Sequence, residues 1–357
     1  MKIAILGGGH GAYAAAADLS EQGHEIRLWR RDAQALLPVQ QTGAITLKDA
    51  QGVREVPIAL ATTDMAAALH GAALILIPSP ATAQHDLATA MAPHLVDGQV
   101  VFLAPGTFGS YVMAQQVRQA GNLATVTWAE TGTLPYLARK HGEREVNVTI
   151  RAVRLPTGVY PERHTAPAMA VIRQAYPSVH PCGNALSGAL MNAGPVIHPP
   201  LMVMNAAPLQ HFERWDIHNE GTQRSVRDVT DRLDLERIAI RTALGHGAPH
   251  YPLADHYNND QWMYGDAHKK LVKSGDWRET IDLYQHRYIT EDVELGLAFL
   301  ASAARFAGVD APIAHGILAL VGGILGRELR WGPRTFESLG LADMTAAELQ
   351  QSLHHGH

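Results

Sequence analysis

The sequence predicts an α/β chain in two parts, a doubly wound parallel sheet in the N-terminal half and an all-α C-terminal half. Three observations lead there. Residues 1–32 read as strand, glycine turn, helix, strand. Short apolar runs then alternate with helical stretches to about residue 180. Past Cys182-Gly183-Asn184 the apolar period is helical almost throughout. The expected domains are therefore 1–183 and 184–357.

Lys2-Ile3-Ala4-Ile5-Leu6 has the continuous apolar character of a buried parallel strand. Gly7-Gly8-Gly9-His10-Gly11-Ala12 follows at once, then an alanine-rich helical stretch and a second strand, Glu25-Ile26-Arg27-Leu28-Trp29. Gly7, Gly9 and Ala12 give the G-x-G-x-x-A form of the dinucleotide fingerprint. Gly7 permits the tight bend, and bare Gly9 lets a pyrophosphate approach the backbone. Ala12 lets the helix pack close to the sheet, and Gly11 is counted with this turn among the cofactor-binding residues. The helix N-terminus offers unpaired N–H groups and partial positive charge to phosphate. This part is thus expected to be a Rossmann-type domain binding NAD(P)H.

The end of the second strand holds Arg30-Arg31, where NAD-preferring sites usually carry an acid. Two guanidinium groups there suit a 2′-phosphate, so NADPH is the expected cofactor, ahead of NADH. The alternative is that both arginines are solvated and Asp32 binds the ribose.

Further along, Ala44 to Leu47 and Val53 to Ile58 read as a hairpin turning at Gln51-Gly52. Strands are expected at Ala73 to Ile77, Val100 to Leu103 and Thr125 to Ala129, with a helix ending near Met91. In an open parallel sheet, ligands sit beyond the carboxyl ends of the strands. Pro78-Ser79, Pro105-Gly106 and Glu130-Thr131 are therefore expected to rim the site. In the second half, long helices are expected at Ser225 to Leu244, Thr290 to Ala307 and Ala311 to Leu325.

Composition narrows the function. The chain has 357 residues, 46% of them hydrophobic and 18% charged, which suits a soluble protein with ample core. A net charge of −5 argues against nucleic acid or an anionic membrane as partner. Cys182 is the lone cysteine, so no intrachain disulfide forms. With no credible signal peptide and no long apolar span, the expected location is cytoplasmic. The histidine-rich tail, Leu353 to His357, is expected to be a disordered end.

Reducing C=O or C=N also needs a proton carrier, and histidine is best suited near neutrality. Among twenty histidines, His198 stands out in Met191-Asn192-Ala193-Gly194-Pro195-Val196-Ile197-His198-Pro199-Pro200. Gly194-Pro195 is expected to break one helix and Pro199 to open another, placing His198 at its N-cap. Asn205 would share that helix face. The bland alternative is a capping or core histidine. In Arg287-Tyr288-Ile289-Thr290-Glu291-Asp292-Val293, Thr290 can cap the helix that follows. Asp292 could instead bond one nitrogen of His198, with Arg287 clamping a carboxylate or the pyrophosphate. His246, His250 and His256 have loop-like spacing and no supporting acid pattern, so no metal site is expected. The segment from His246 to Tyr264 is a candidate lining for an amine pocket.

At these residues the chain resembles the opine dehydrogenases, which include octopine and nopaline dehydrogenases. The matching pieces are Gly7-x-Gly9-x-Gly11-Ala12, Pro105-Gly106-Thr107, Glu130 with Leu134-Pro135-Tyr136-x-x-Arg139, Asn192 to His198-Pro199, and Arg287-Tyr288-x-x-Glu291-Asp292. The last two are the specific ones, and the pieces span nearly the whole chain. The resemblance implies a Rossmann domain joined to a helical substrate domain, with the active site in the cleft between them. It implies His198 as acid/base, Asp292 as its partner and Asn192 beside the substrate. It further implies imine reduction joining a 2-oxo acid to the amino group of an amino acid, in an enzyme expected to be a homodimer. Ala12 replaces a frequent glycine, and Arg30 stands where NAD-dependent members carry an acid. The competing readings are a 2-oxo acid or ketopantoate-type reductase, and a non-catalytic dinucleotide sensor.

Overall fold

A computed structural model of the chain describes residues 1–275 and 277–356. It divides into two units, Met1–Ala189 together with the residues from Leu353 onward, and Leu190–Ser352. The compositional shift at 182–184 lies in the last strand of the first unit, so the division falls slightly downstream of it.

The first unit runs β1 (Lys2–Leu6), α1 (His10–Glu21), β2 (Glu25–Trp29), α2 (Ala33–Thr42), β3 (Ala44–Asp49), β4 (Gly52–Pro57), β5 (Leu60–Thr62), β6 (Leu74–Ile77) and β7 (Val100–Leu103). It continues with α3 (Gly109–Gln119), β8 (Thr127–Thr131), β9 (Tyr136–His141), β10 (Glu145–Arg151), β11 (Leu155–Tyr160) and β12 (Val179–Asn184). Eight strands form one sheet in the order β12-β11-β8-β7-β6-β1-β2-β5. All its pairings are parallel except β11 with β8. β2 and β6 flank β1 on opposite sides, so the strand order reverses beside β1. Such a switch point opens a crevice at the carboxyl ends of the strands.

The hairpin of β3 and β4 forms as expected, but within a second sheet, β4-β3-β10-β9. Sequence periodicity gave no sign that β10 would pair beside β3, because that pairing joins residues about a hundred apart. α1 lies between the two sheets, touching β1 and β2 on one side and β3, β9 and β10 on the other. That explains its composition. Residues Gly11 to Leu19 are all buried, and the five alanines among them let the helix lie close between two sheets.

The second unit contains α4 (Gly194–Met204), α5 (Arg224–Ala243), a π-helix (Tyr288–Leu297), α6 (Ala298–Ala307), α7 (Pro312–Leu325) and the first part of α8 (Ala346–His355), whose end from Leu353 belongs to the first unit. A two-stranded ribbon, Trp215–Asp216 with Arg278–Glu279, interrupts the expected all-α pattern.

Three local expectations are corrected. Gly194-Pro195 starts a helix rather than ending one, because a proline in the first turn forfeits no hydrogen bond. His198 therefore lies inside α4, not at an N-cap. Pro199 and Pro200 sit further inside and remove the N–H donors that Pro195 and Val196 would have received. Thr290 likewise lies within the π-helix, which begins at Tyr288 with no side-chain cap. The C-terminal tail is helical through His355, with Leu353 fully buried. Among the described residues no helix is long and apolar enough to cross a membrane.

Candidate active site

The glycine turn sits at the strand-order reversal and is built from close contacts. Gly7 has φ of +150°, and a Cβ there would stand 2.6 Å from the Ser79 Oγ, which itself donates to the Leu6 carbonyl at 2.9 Å. A Cβ on Gly11 would stand 2.6 Å from Leu134 and 3.2 Å from Pro78. Ala12 is fully buried. Around Gly9, by contrast, a Cβ would meet nothing. Gly9 is also the N-cap of α1, with no side chain capping the first turn. The turn is thus crowded where the fold needs it and open where a phosphate would sit. These residues fit a dinucleotide, and Gly7, Gly9, Gly11, Ala12, Pro78 and Ser79 come together as expected.

Arg30 and Arg31 behave differently from each other. The Arg30 side chain lies over Gly8, where a Cβ would stand 2.5 Å from its Nε. Its Nη1 donates to the Ala35 carbonyl at 3.1 Å and to the Tyr13 hydroxyl at 3.3 Å. Arg31 is exposed and pairs with exposed Asp86 at 3.0 Å, a bond of little strength. Asp32 is the N-cap of α2, accepting from the Ala35 N–H at 3.1 Å. Gly8 went unrecognised in the sequence, because the crowding there comes from Arg30, just past the end of β2.

Two expected rim residues turn inward. β8 extends two residues past its expected end, so Glu130 is in the strand and fully buried. Its carboxylate accepts from the Phe108 N–H at 2.8 Å, the Ser110 N–H at 2.8 Å and the Ser110 hydroxyl at 2.7 Å. Gly106 is buried against it, and a Cβ there would stand 2.4 Å from the Glu130 side chain. Thr107 and Phe108 hold positive φ angles, unfavourable for residues with side chains, and the carboxylate secures that turn. Glu130 and Gly106 therefore hold the loop that begins α3 and present no surface to a cofactor. Pro105, just before them, is half-buried at the end of β7.

In the second unit the two distant segments meet. The Nδ1 of His198 and the Oδ2 of Asp292 are 2.7 Å apart, across 94 positions of sequence. The π-helix packs along α4. Gly296 makes room for Pro195, and Gly194 makes room for Asp292. Asp292 is buried and the His198 side chain is 13% exposed. Burial pushes the Asp292 carboxyl up to about 7, against the pull of the Arg287 guanidinium. Burial also pushes His198 well below its ordinary value, with Arg287 acting in the same direction. The pair is thus held as a neutral imidazole whose Nδ1 is committed to Asp292. Its Nε2 remains to exchange a proton.

Other expected residues take supporting positions. Asn192 is buried and its Oδ1 accepts from the Gly194 N–H at 3.0 Å, fixing the start of α4. Arg287 is more than half exposed and lies 3.9 Å from Glu291. Asn205 ends α4 and bonds the Leu201 and Gly221 carbonyls, well removed in role from the dyad. In the 246–264 segment, Trp262, Tyr264 and His256 are buried, with the His256 and Trp262 rings 4.5 Å apart. Tyr257 and Asn258 do face a cleft of about 380 Å³, shared with Arg227 and Asp231. Among the described residues no group of three His, Cys, Asp or Glu is placed to hold a metal. The sequence reading gave no role to Tyr288, which stacks on His198, or to His218, which bonds Tyr288. No spacing signal singles His218 out of twenty histidines.

The family described as NAD/NADP octopine/nopaline dehydrogenase, alpha-helical domain, matches residues 181–325, so it takes in both α4 and the π-helix. The chain belongs to the opine dehydrogenase family. It is an NAD(P)-dependent oxidoreductase acting on CH–NH groups. Residues 2–119 match a second family, the N-terminus of NAD-dependent glycerol-3-phosphate dehydrogenase, as expected of a shared nucleotide-binding domain. The opine dehydrogenase of Arthrobacter sp. (strain 1C) is 28% identical over 98% of both chains. Two solved structures share the fold. Octopine dehydrogenase in complex with NADH and agmatine has a TM-score of 0.72 at 18% identity, covering all of both chains. Yersinopine dehydrogenase with NADP+ bound has a TM-score of 0.66 at 16% identity, covering 99% of this chain and 98% of that one.

Proposed function

We propose that this opine dehydrogenase joins a 2-oxo acid to the amino group of an amino acid, with His198 as acid/base, Asp292 as its partner and NADPH as the preferred cofactor. The observation that carries the reading is the 2.7 Å bond between His198 and Asp292, in a buried setting that keeps the imidazole neutral. The bound nicotinamide supplies the hydride that reduces the imine. The protein's own residues manage the protons and the carboxylates. The neutral Nε2 of His198 takes a proton from the substrate ammonium, freeing the lone pair that attacks the oxo-acid carbonyl. The same nitrogen then returns a proton to the hydroxyl that leaves as water. Asp292 holds the Nδ1–H throughout, fixing the tautomer and stabilising the transient imidazolium. Arg287, charged and exposed, is assigned to a substrate carboxylate. Exposed Arg31 is assigned to the 2′-phosphate.

The molecules bound by relatives support the same classes. Structures of octopine dehydrogenase carry L-arginine in one case and pyruvate in another. The reading includes a cytoplasmic enzyme working as a homodimer, which sedimentation equilibrium would check. The deciding experiment follows NADPH oxidation with pyruvate, with and without a panel of amino acids. Dependence on the amine is the expected result. Equal rates without amine would replace this reading with simple oxo-acid reduction. His198→Ala is expected to lower kcat by about 10²-fold or more with cofactor affinity kept.

A further inference from the structure

The bond to Asp292 fixes one atom of the His198 ring but not its plane. Rotation of a histidine ring about its last torsion is soft, and a single in-plane partner leaves it free to tilt. Tilt matters because it moves Nε2, the atom that must meet the substrate. In this structure the plane is fixed by a second contact. The Tyr288 ring lies flat against the His198 ring, with centroids 3.6 Å apart and planes within 11°. Tyr288 is buried. Its hydroxyl is 2.9 Å from the Nε2 of His218. His218 stands edge-on to His198 at 5.8 Å and edge-on to Trp277 at 5.2 Å. His286 also stands edge-on to Tyr288 at 4.4 Å, and its Nδ1 accepts from the Tyr288 N–H at 3.3 Å.

Backbone geometry explains how one helix supplies both contacts. Tyr288 and Asp292 are four positions apart on the π-helix, whose wider turn carries them to one face. One takes the face of the imidazole and the other its Nδ1 edge.

We propose that Tyr288, anchored through its hydroxyl by His218, is a positioning residue that sets the ring plane of His198 and so aims Nε2. The inference rests on His198 being the acid/base. An aiming error of about 1 Å can cost on the order of 10²-fold in rate.

The test compares Tyr288→Leu, Tyr288→Phe, His218→Gln and His198→Ala in the full-length enzyme. Each is measured for kcat and KM with pyruvate and the best amine, and for NADPH affinity by fluorescence titration. Tyr288→Leu removes the flat ring and is expected to lower kcat by about 10- to 100-fold with KM within about threefold. Tyr288→Phe keeps the ring and is expected to restore kcat to within about threefold of the wild type. His218→Gln is expected to resemble Tyr288→Phe, and the double variant Tyr288→Phe/His218→Gln to cost no more than either single change, since both cut the same bond. Unaltered circular dichroism and a single unfolding transition at the wild-type temperature show that each variant is folded. If Tyr288→Leu fails to fold, the sub-additivity of the other two variants carries the test, and full additivity overturns the proposal. Wild-type kcat in Tyr288→Leu alongside an inactive His198→Ala overturns this inference and leaves the acid/base reading standing. Full activity in His198→Ala removes both. Equal losses in the Leu and Phe variants overturn the claim that the flat ring is what matters.

Discussion

Gly194 stands directly against Asp292, so closely that a Cβ on it would lie 2.3 Å from the carboxylate Oδ1. The glycine of the Asn192 to His198 segment is there for space. It lets α4 approach the π-helix until the imidazole on one reaches the carboxylate on the other.

Gly194→Ala is therefore expected to push the Asp292 carboxylate away and loosen the 2.7 Å bond. The expected result is a fall in kcat of about tenfold or more with NADPH affinity unchanged. Steady-state kinetics with a parallel fluorescence titration checks it. A wild-type kcat would mean that the dyad tolerates the added methyl.

Asp292, with its pKa raised to about 7, gives the enzyme a pH dependence of definite sign. The working form of the dyad carries one proton, shared between Nδ1 and the carboxylate. As the pH falls through about 7 a second proton enters, and Nε2 can no longer accept one from the amine. The rate of reductive condensation is expected to fall on that acid side. Asp292→Asn is expected to abolish the limb and lower kcat by about 10²-fold or more. A pH–rate profile of both enzymes at saturating substrates decides it. The same limb in the variant would assign the titration to another group.

The contrast between Arg30 and Arg31 makes a prediction about the cofactor. Arg31 has only a solvated partner, so its guanidinium can turn to a 2′-phosphate at small cost. Arg31→Ala is expected to raise KM for NADPH about tenfold and to leave KM for NADH within about twofold, the loss of one charge-assisted hydrogen bond. Arg30→Ala is expected to weaken both cofactors together, because it removes the cover over Gly8. Equal effects of Arg31→Ala on the two cofactors would refute the assignment.

Glu130 yields a prediction about stability rather than binding. Its carboxylate serves two backbone N–H groups and a hydroxyl in a fully buried place. Glu130→Gln replaces one accepting oxygen with a donor that faces other donors. The expected cost is about 2–4 kcal/mol of unfolding free energy. Thermal or urea unfolding measures it. A larger effect on KM for NADPH than on stability would return Glu130 to the cofactor site.

Much of this architecture was written in local sequence. The glycine turn is legible because a dinucleotide site needs bare backbone between a buried strand and a helix N-terminus, and those needs fall within a dozen consecutive residues. The helices after residue 190 are legible because apolar period is also local. The ends of elements were harder to place. Gly194-Pro195 suits either a helix end or a first turn, and only packing against Gly296 decides between them. The second sheet left no local trace, since a strand's sequence does not name its partner. Nor did the π-helix, whose extra residue per turn depends on what its face must meet.

By itself the sequence determined the opening strand–turn–helix–strand unit with its cofactor-binding turn, the helical character of the second half and the residue types able to move a proton, because each depends on near neighbours along the chain. Only the tertiary structure decided that His198 sits inside a helix, that Asp292 reaches it and that Tyr288 covers its face. It also decided that Glu130 turns inward to hold a loop. Those relationships join groups far apart in sequence, and no periodicity encodes a meeting set by how whole helices and strands pack.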